Sequence, residues 1–367
     1  MISFGEKIST RQATLLMATT ILATAILFLP AITTEQARED AWISTLIALV
    51  NGLLISLLVI TLMKRFPRQT IIQYSEVILG KVLGKVIGLG YIWFFLHTNA
   101  IIVREFGAFM ATAFMPNTPL IIFNGLIVVL AILVVRSGLE PLARLNEWIF
   151  IVTGFFFVVI AMFVISEMNL ENLRPFLERG IMPSLKGAIT PTSWFGEIII
   201  LAMIFPFLSR PQKGYRIGAG AVLIAGAFLF TGLLQAVSIF GPELVKRFDF
   251  PILEVVRLIS LGDFFERIDA LVMAIWVGGV FVKTSVFHFA TVTAAAQWFN
   301  LEEYNPLAIP LGLLTVILSI HLFEGAADLV KFLSETFPFY ALSLFEVGIP
   351  ALLLVTAFIR NKGGPSL

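Results

Sequence analysis

The sequence has no cysteine, which excludes disulfides, thiolate catalysis and cysteine-ligated zinc. Charge is scarce as well. Asp, Glu, Lys and Arg make up 13% of the residues, against about 25% in a soluble globular domain. Too few charges remain to solvate a surface of this size, so lipid must cover much of it. Histidine is limited to His97, His288 and His321, on three different apolar runs or their ends. With no HExxH or His-rich spacing, no metal site is expected. No G-x-S-x-G nucleophile motif occurs, and neither enzyme activity nor a cofactor is expected. The formal net charge of +1 supplies no bulk field for nucleic acid.

What fills the chain is apolar. Of 367 residues 58% are hydrophobic and 35 are Phe, with a mean hydropathy of +0.96. A helix needs roughly 20 mostly apolar residues to cross the hydrocarbon core. Ten such stretches are found, over residues 10–32, 42–63, 86–113, 118–136, 142–166, 191–209, 215–240, 268–297, 306–322 and 337–359. The expected fold is therefore an all-α polytopic membrane protein of ten transmembrane helices. The first run, Leu15 to Ile32, has no small-residue cleavage site and is long for a signal sequence, so it reads as a retained helix.

Basic residues orient the chain. With ten spans both termini share one side, and that side's segments carry 14 Lys and Arg, among them Lys64, Arg65, Arg68, Arg210 and Lys213, but only six acids. The other side carries nine basic and 15 acidic residues. Both termini are accordingly placed in the cytoplasm. The opposite side has two long loops, Glu167–Thr190 and Gly241–Asp269. The second contains the amphipathic run Pro251-Ile252-Leu253-Glu254-Val255-Val256-Arg257-Leu258-Ile259, readable as a lid over the outer mouth or as a helix resting on lipid headgroups.

Five ionisable residues fall inside spans: Arg104, Glu105, Glu197, Lys283 and Glu346. An ionisable group near the bilayer centre costs about 2.5–3.5 kcal/mol on insertion scales, so such groups face a bundle interior or a water-filled cavity. Each is a functional candidate, with structural pairing as the plainer alternative. Seven residues make nearly two helical turns, so His97 shares a face with Arg104, and Thr98 with Glu105. Two further interruptions are Pro30, closing Ala23-Thr24-Ala25-Ile26-Leu27-Phe28-Leu29, and Pro206, closing Gly196-Glu197-Ile198-Ile199-Ile200. These lie in spans one and six, corresponding members if the chain is two five-helix halves. Discontinuous helices in corresponding positions mark a midplane site in inverted-repeat transporters, where unwound backbone holds a carboxylate or an ammonium. Ordinary proline kinks explain the same residues equally well.

The sequence resembles the B-subunit of spore germinant receptors, the GerAB-like endospore germination permeases of the amino acid–polyamine–organocation superfamily. The resemblance rests on Leu27-Phe28-Leu29-Pro30, Asp40-Ala41-Trp42-Ile43, Asn172-Leu173-Arg174-Pro175, Gly196-Glu197, Phe265-Glu266-Arg267-Ile268-Asp269 and Ile275-Trp276-Val277, in order along nearly the whole chain. It implies a LeuT-like 5+5 inverted repeat with broken helices one and six, the halves being residues 1–185 and 186–367 of one transmembrane domain. It further implies a sensor of a small nutrient, typically an amino acid, in the spore inner membrane, with an A-subunit membrane protein and a C-subunit lipoprotein as partners. Two departures stand out: Ala23 replaces a frequent glycine, and Lys283 has an uncharged counterpart in some relatives. In LeuT-like folds the eighth span helps bind sodium beside the first, so Lys283 is read as a tethered cation in its place, with Thr284 and Ser285 near it. The expected ligand contacts are Ala23, Thr24, Thr98, Asn99, Phe195, Gly196, Ile200 and Lys283; helix packing is the alternative for the apolar members. Arg104 and Glu197 are expected to form a charged gate outside them, with Glu105 and Glu346 as further buried charges. A proton- or cation-coupled amino-acid permease and a purely structural membrane subunit are the competing functions.

Overall fold

The computed structural model describes residues 6–258 and 268–364. Among these the chain is helical, with no strand and only an isolated bridge between Ile8 and Leu208. The first elements are α1 (Thr10–Ala37), α2 (Ala41–Arg65), α3 (Ile71–Leu79), α4 (Lys81–Ala113), α5 (Leu120–Ser137) and α6 (Leu139–Phe163). A segmented helix follows as α7 (Met182–Gly187), α8 (Ile189–Gly196) and α9 (Leu201–Ile204). Then come α10 (Gly214–Phe240), α11 (Pro242–Val245), α12 (Pro251–Arg257), α13 (Ile268–Phe299), α14 (Asn305–His321) and α15 (Ala326–Glu335). The last crossing is built from α16 (Phe337–Tyr340) and α17 (Gly348–Ile359).

Eight stretches among the described residues are long and apolar enough to cross a membrane, and Asn305–His321 is a shorter apolar helix. The first of the eight, Thr10–Arg65, has 56 residues, or about 84 Å of helix at 1.5 Å per residue. That is far more than one bilayer. The turn at Arg38–Asp40, where Arg38 adopts φ 51°, divides it into α1 and α2. Local chemistry sets several boundaries. Ser9 Oγ accepts from Gln12 N, and the Gln12 side chain accepts from Ser9 N, closing a capping box at the start of α1. Thr70 and Gln73 do the same for α3.

The expected break in the first span is not found. α1 is continuous through Ala23, Thr24 and Pro30. Alanine has the highest helix propensity and removes the freedom a glycine would give, and Pro30 forfeits one backbone donor two turns before the helix ends without opening it. The sixth span does depart from α-helix. It starts at Met182, before the expected residue 191, and tightens into a 3-10 turn over Glu197–Ile200 and again over Phe205–Phe207, at Pro206. The tenth segment widens instead into a π turn over Ala341–Glu346. Pro350 accounts for it, because its ring cannot donate to Glu346 and crowds that carbonyl. Gly348 permits it, since a Cβ there would overlap the Ser343 carbonyl oxygen.

Packing centres on α1, which lies against α6, α8, α10 and α13, while α13 in turn packs on α4, α5 and α6. Segments assigned to one side by charge meet in space. Glu6 Oε2 accepts from Leu139 N at 2.8 Å, Lys7 Nζ donates to the Pro206 carbonyl at 2.9 Å, and Arg65 donates to the Lys362 carbonyl at 2.8 Å. On the opposite face Arg179 pairs with Glu39 at 2.7 Å, and Asp40 accepts from Leu177 N at 3.0 Å. The run expected as a lid or an interfacial helix is α12 in its described part; Ile259 lies outside the described residues. Leu253, Val255 and Val256 of α12 are buried against α1, α10 and α13, so its apolar face is turned into the protein rather than onto headgroups.

Candidate functional site

Lys283 stands in the middle of α13 with no exposed surface. Its Nζ donates to Glu197 Oε1 at 2.9 Å, approaches Oε2 at 2.7 Å, and donates to Thr24 Oγ1 of α1 at 3.0 Å. One ammonium thus ties three segments together at the point where the sixth leaves α-helical geometry. Glu197 opens the 3-10 turn, so its side chain is set by the change in winding immediately after Gly196. Thr24, which accepts from Lys283, also lies near Glu105 of α4. Glu346, at the end of the π turn, reaches the same centre from the other side. A Cβ at Gly196 would collide with its carboxylate, and neither of its oxygens has a hydrogen-bond partner among the described residues. Glu105 and Glu346 are both within electrostatic reach of Lys283.

Thr24, Glu105, Gly196, Glu197, Lys283 and Glu346 therefore converge. The other expected residues take different places. Ala23 offers its carbonyl to the Trp276 indole N–H at 2.5 Å. Phe195 packs on α2, where a Cβ at Gly52 would strike its ring. Ile200 and Asn99 are fully buried, and neither amide atom of Asn99 has a partner among the described residues. Thr98 lies toward Tyr340. Of the two residues expected in a charged gate, Arg104 is buried at 4% exposure and Glu197 is paired with Lys283. Thr284 and Ser285 are buried beside Lys283 in sequence, and the Ser285 hydroxyl donates back to the Phe281 carbonyl at 2.7 Å.

Sequence reasoning missed an aromatic and hydroxyl layer beside this centre. His97 Nδ1 and the Tyr340 hydroxyl share a hydrogen bond of 2.6 Å, and the Tyr91 hydroxyl donates to the Phe345 carbonyl at 2.8 Å within the π turn. Pro350 was the available signal, because a proline inside an apolar run disturbs the winding of the turn before it, where a hydroxyl can bond a backbone carbonyl.

The arrangement holds one ammonium among three carboxylates, shut off from water. It contains no nucleophile paired with a base. It can bind charge and exchange one partner for another, and the elements holding it are the ones with irregular winding.

Solved structures of membrane transporters have this fold. A nucleobase-cation-symport-1 family transporter, closed with bromovinylhydantoin bound, matches with a TM-score of 0.71 at 12% identity over 97% of this chain and 79% of that one. MhsT in complex with L-phenylalanine matches with a TM-score of 0.69 at 14% identity, covering 96% of this chain and 89% of that one. The molecule is a LeuT-like helical bundle. The family model for spore germination proteins matches residues 7–324, and the chain belongs to that family. Among its relatives are spore germination protein YndE of Bacillus subtilis (strain 168), 30% identical over 99% of both chains, and spore germination protein KB of the same organism, 29% identical over 97% of this chain and 96% of that one. The protein is an integral multi-pass membrane protein. Of the segments carrying the resemblance, Phe265-Glu266-Arg267 lies outside the described residues.

Proposed function

We propose that the chain is the membrane subunit of a spore germinant receptor that binds a small nutrient, an amino acid, at the Lys283 centre and thereby triggers germination. The observation that carries this reading is the buried Lys283–Glu197 pair closed by Thr24, which links α1, the sixth segment and α13 through one exchangeable charge. A ligand carboxylate competes with Glu197 for Lys283, and a ligand ammonium is attracted by Glu105 and Glu346. Binding then alters the contact that fixes α1 against α13. In this reading the chain crosses the membrane ten times as two five-helix halves. Both termini lie in the cytoplasm, the membrane is the spore inner membrane, and the partners are an A-subunit membrane protein and a C-subunit lipoprotein. Lys283 supplies the positive charge that sodium would otherwise bring beside α1.

The test is a thermal-shift screen of the purified chain against single amino acids, run in sodium and in potassium buffers. At least one amino acid is expected to raise the unfolding temperature equally in both, and the shift is expected to vanish in Lys283→Met. A shift that requires sodium overturns the role given to Lys283; no shift with any amino acid overturns the ligand class. The transporter fold of the neighbours favours a second reading, a proton- or cation-coupled amino-acid permease. Uptake of labelled amino acid by proteoliposomes holding this chain alone would establish that reading instead.

A further inference from the structure

A cavity of about 110 Å³ lies between α1, α6, α10, α12 and α13. Ala23, Phe157, Phe228, Ile252, Trp276 and Gly279 form much of its wall, and Lys283, Glu105 and Glu197 take no part in it. The polar groups at its edge are already engaged. The Thr19 hydroxyl donates to Asn146 Oδ1 at 2.8 Å, Thr153 to the Ile149 carbonyl at 2.8 Å, and the Gln235 amide to the Ala161 carbonyl at 3.4 Å. The Trp276 indole N–H is held by Ala23. A buried water needs two to four polar partners, and apolar cavities of roughly 150 Å³ stay dry and admit benzene. This cavity therefore rejects charged and hydrated ligands and accepts a compact hydrocarbon group somewhat smaller than benzene.

Its position says where such a group comes from. Phe155 and Val158 on the outer face of α6 are 61% and 55% exposed, as befits residues against acyl chains. Thr153, Phe156 and Phe157, on the adjoining face, line the cavity and are only half-buried. The half-buried lining of α6 thus adjoins its lipid-facing side chains. The cavity's inner wall is the Ala23–Trp276 contact, and the residue after Ala23 is Thr24, which holds Lys283.

We propose that this cavity is a second binding site, specific for a saturated hydrocarbon segment taken from the bilayer, and that its occupant braces the seam between α1 and α13 beside the charged centre. Two sources share this chemistry, the end of a lipid acyl chain and a small free hydrocarbon. Gly279 provides the means to block it: a Cβ there meets only Ala23 Cβ, at 3.7 Å, and a leucine extends into the cavity. The experiment uses the full chain in nanodiscs of phosphatidylcholine brominated near the chain ends. The Trp276 signal is the difference in fluorescence between the chain and its Trp276→Phe variant. Quenching of that signal is expected, with a severalfold reduction in G279L and a smaller one in G279A, whose methyl fits without displacement and which carries the test if G279L does not fold. A parallel arm adds 2-bromopropane to unbrominated nanodiscs. Quenching by brominated lipid supports a chain end, and quenching by 2-bromopropane supports a free hydrocarbon. No quenching in either arm, or quenching unchanged in a folded Gly279 variant, overturns the proposal.

Discussion

Lys283 and Glu197 leave water together, with side-chain exposures of 0% and 2%, and each makes the other's burial tolerable. Removing one partner of a buried ion pair strands a charge and typically costs about 3–5 kcal/mol, whereas replacing both with groups of similar volume is often close to neutral. Lys283→Met is therefore expected to destabilise the chain by about that amount, and Lys283→Met with Glu197→Gln to recover most of it. Chemical unfolding of the wild type, both single variants and the double variant in detergent measures the coupling. Additive losses would show that the two side chains do not depend on each other. Gly196 makes the companion case at the Glu346 side. Gly196→Ala forces a methyl into the Glu346 carboxylate, an overpacking change worth about 1–3 kcal/mol, and shortening the acid in Gly196→Ala/Glu346→Ala is expected to relieve part of it. Each of these charges was identifiable from sequence, because an acid or a lysine in an apolar run has few explanations. Their partnership was not, since Glu197 and Lys283 lie 86 residues apart and no periodicity spans that separation. Arg104 shows the converse: it lies in the same span as Glu105, yet the acid expected beside it in a gate, Glu197, is taken by Lys283.

Irregular winding at the level of elements follows proline and glycine only where the neighbours allow it. Pro206 and Gly196 accompany a real change in the sixth segment, while Pro30 leaves α1 intact, so the same residue type meant different things in the two corresponding spans. The π turn at Ala341–Glu346 depends on Gly348, whose missing Cβ makes room for the Ser343 carbonyl oxygen, and on Tyr91, which satisfies Phe345. Gly348→Ala is expected to cost about 1–3 kcal/mol and Tyr91→Phe about 1 kcal/mol, with both losses read by thermal or chemical unfolding. If Gly348→Ala is neutral, the turn does not require this close approach. The short helices α3 and α15 went unnoticed in the sequence because nine and ten residues are too few to register as crossings. Only their amphipathic pattern marks them, and it falls within segments already read as loops.

Opposite faces of the whole molecule differ in charge, and the packing confirms that the segments grouped by that difference are neighbours: Glu6 with Leu139, Lys7 with Pro206 and Arg65 with Lys362 at one end, Arg179 with Glu39 and Arg38 with Glu243 at the other. The proposal that the basic end faces the cytoplasm rests on the positive-inside rule. The absence of cysteine makes this assignment directly testable, because any introduced thiol is the only one in the chain. Glu243 has a side chain 55% exposed at the acidic end, and Lys362 is exposed at the basic end. In intact cells Glu243→Cys is expected to react with a membrane-impermeant maleimide and Lys362→Cys to react only after permeabilisation. The reverse pattern would invert the molecule, and equal labelling of both in intact cells would place the two sites on one side, against the packing that separates them. The inverted outcome would also move the acid-rich face that carries α12 and α15 away from the nutrient side, so that a ligand would have to approach the Lys283 centre past the basic end. Sidedness thus decides more than orientation: it determines which set of irregular elements lies between the nutrient and the one buried ammonium.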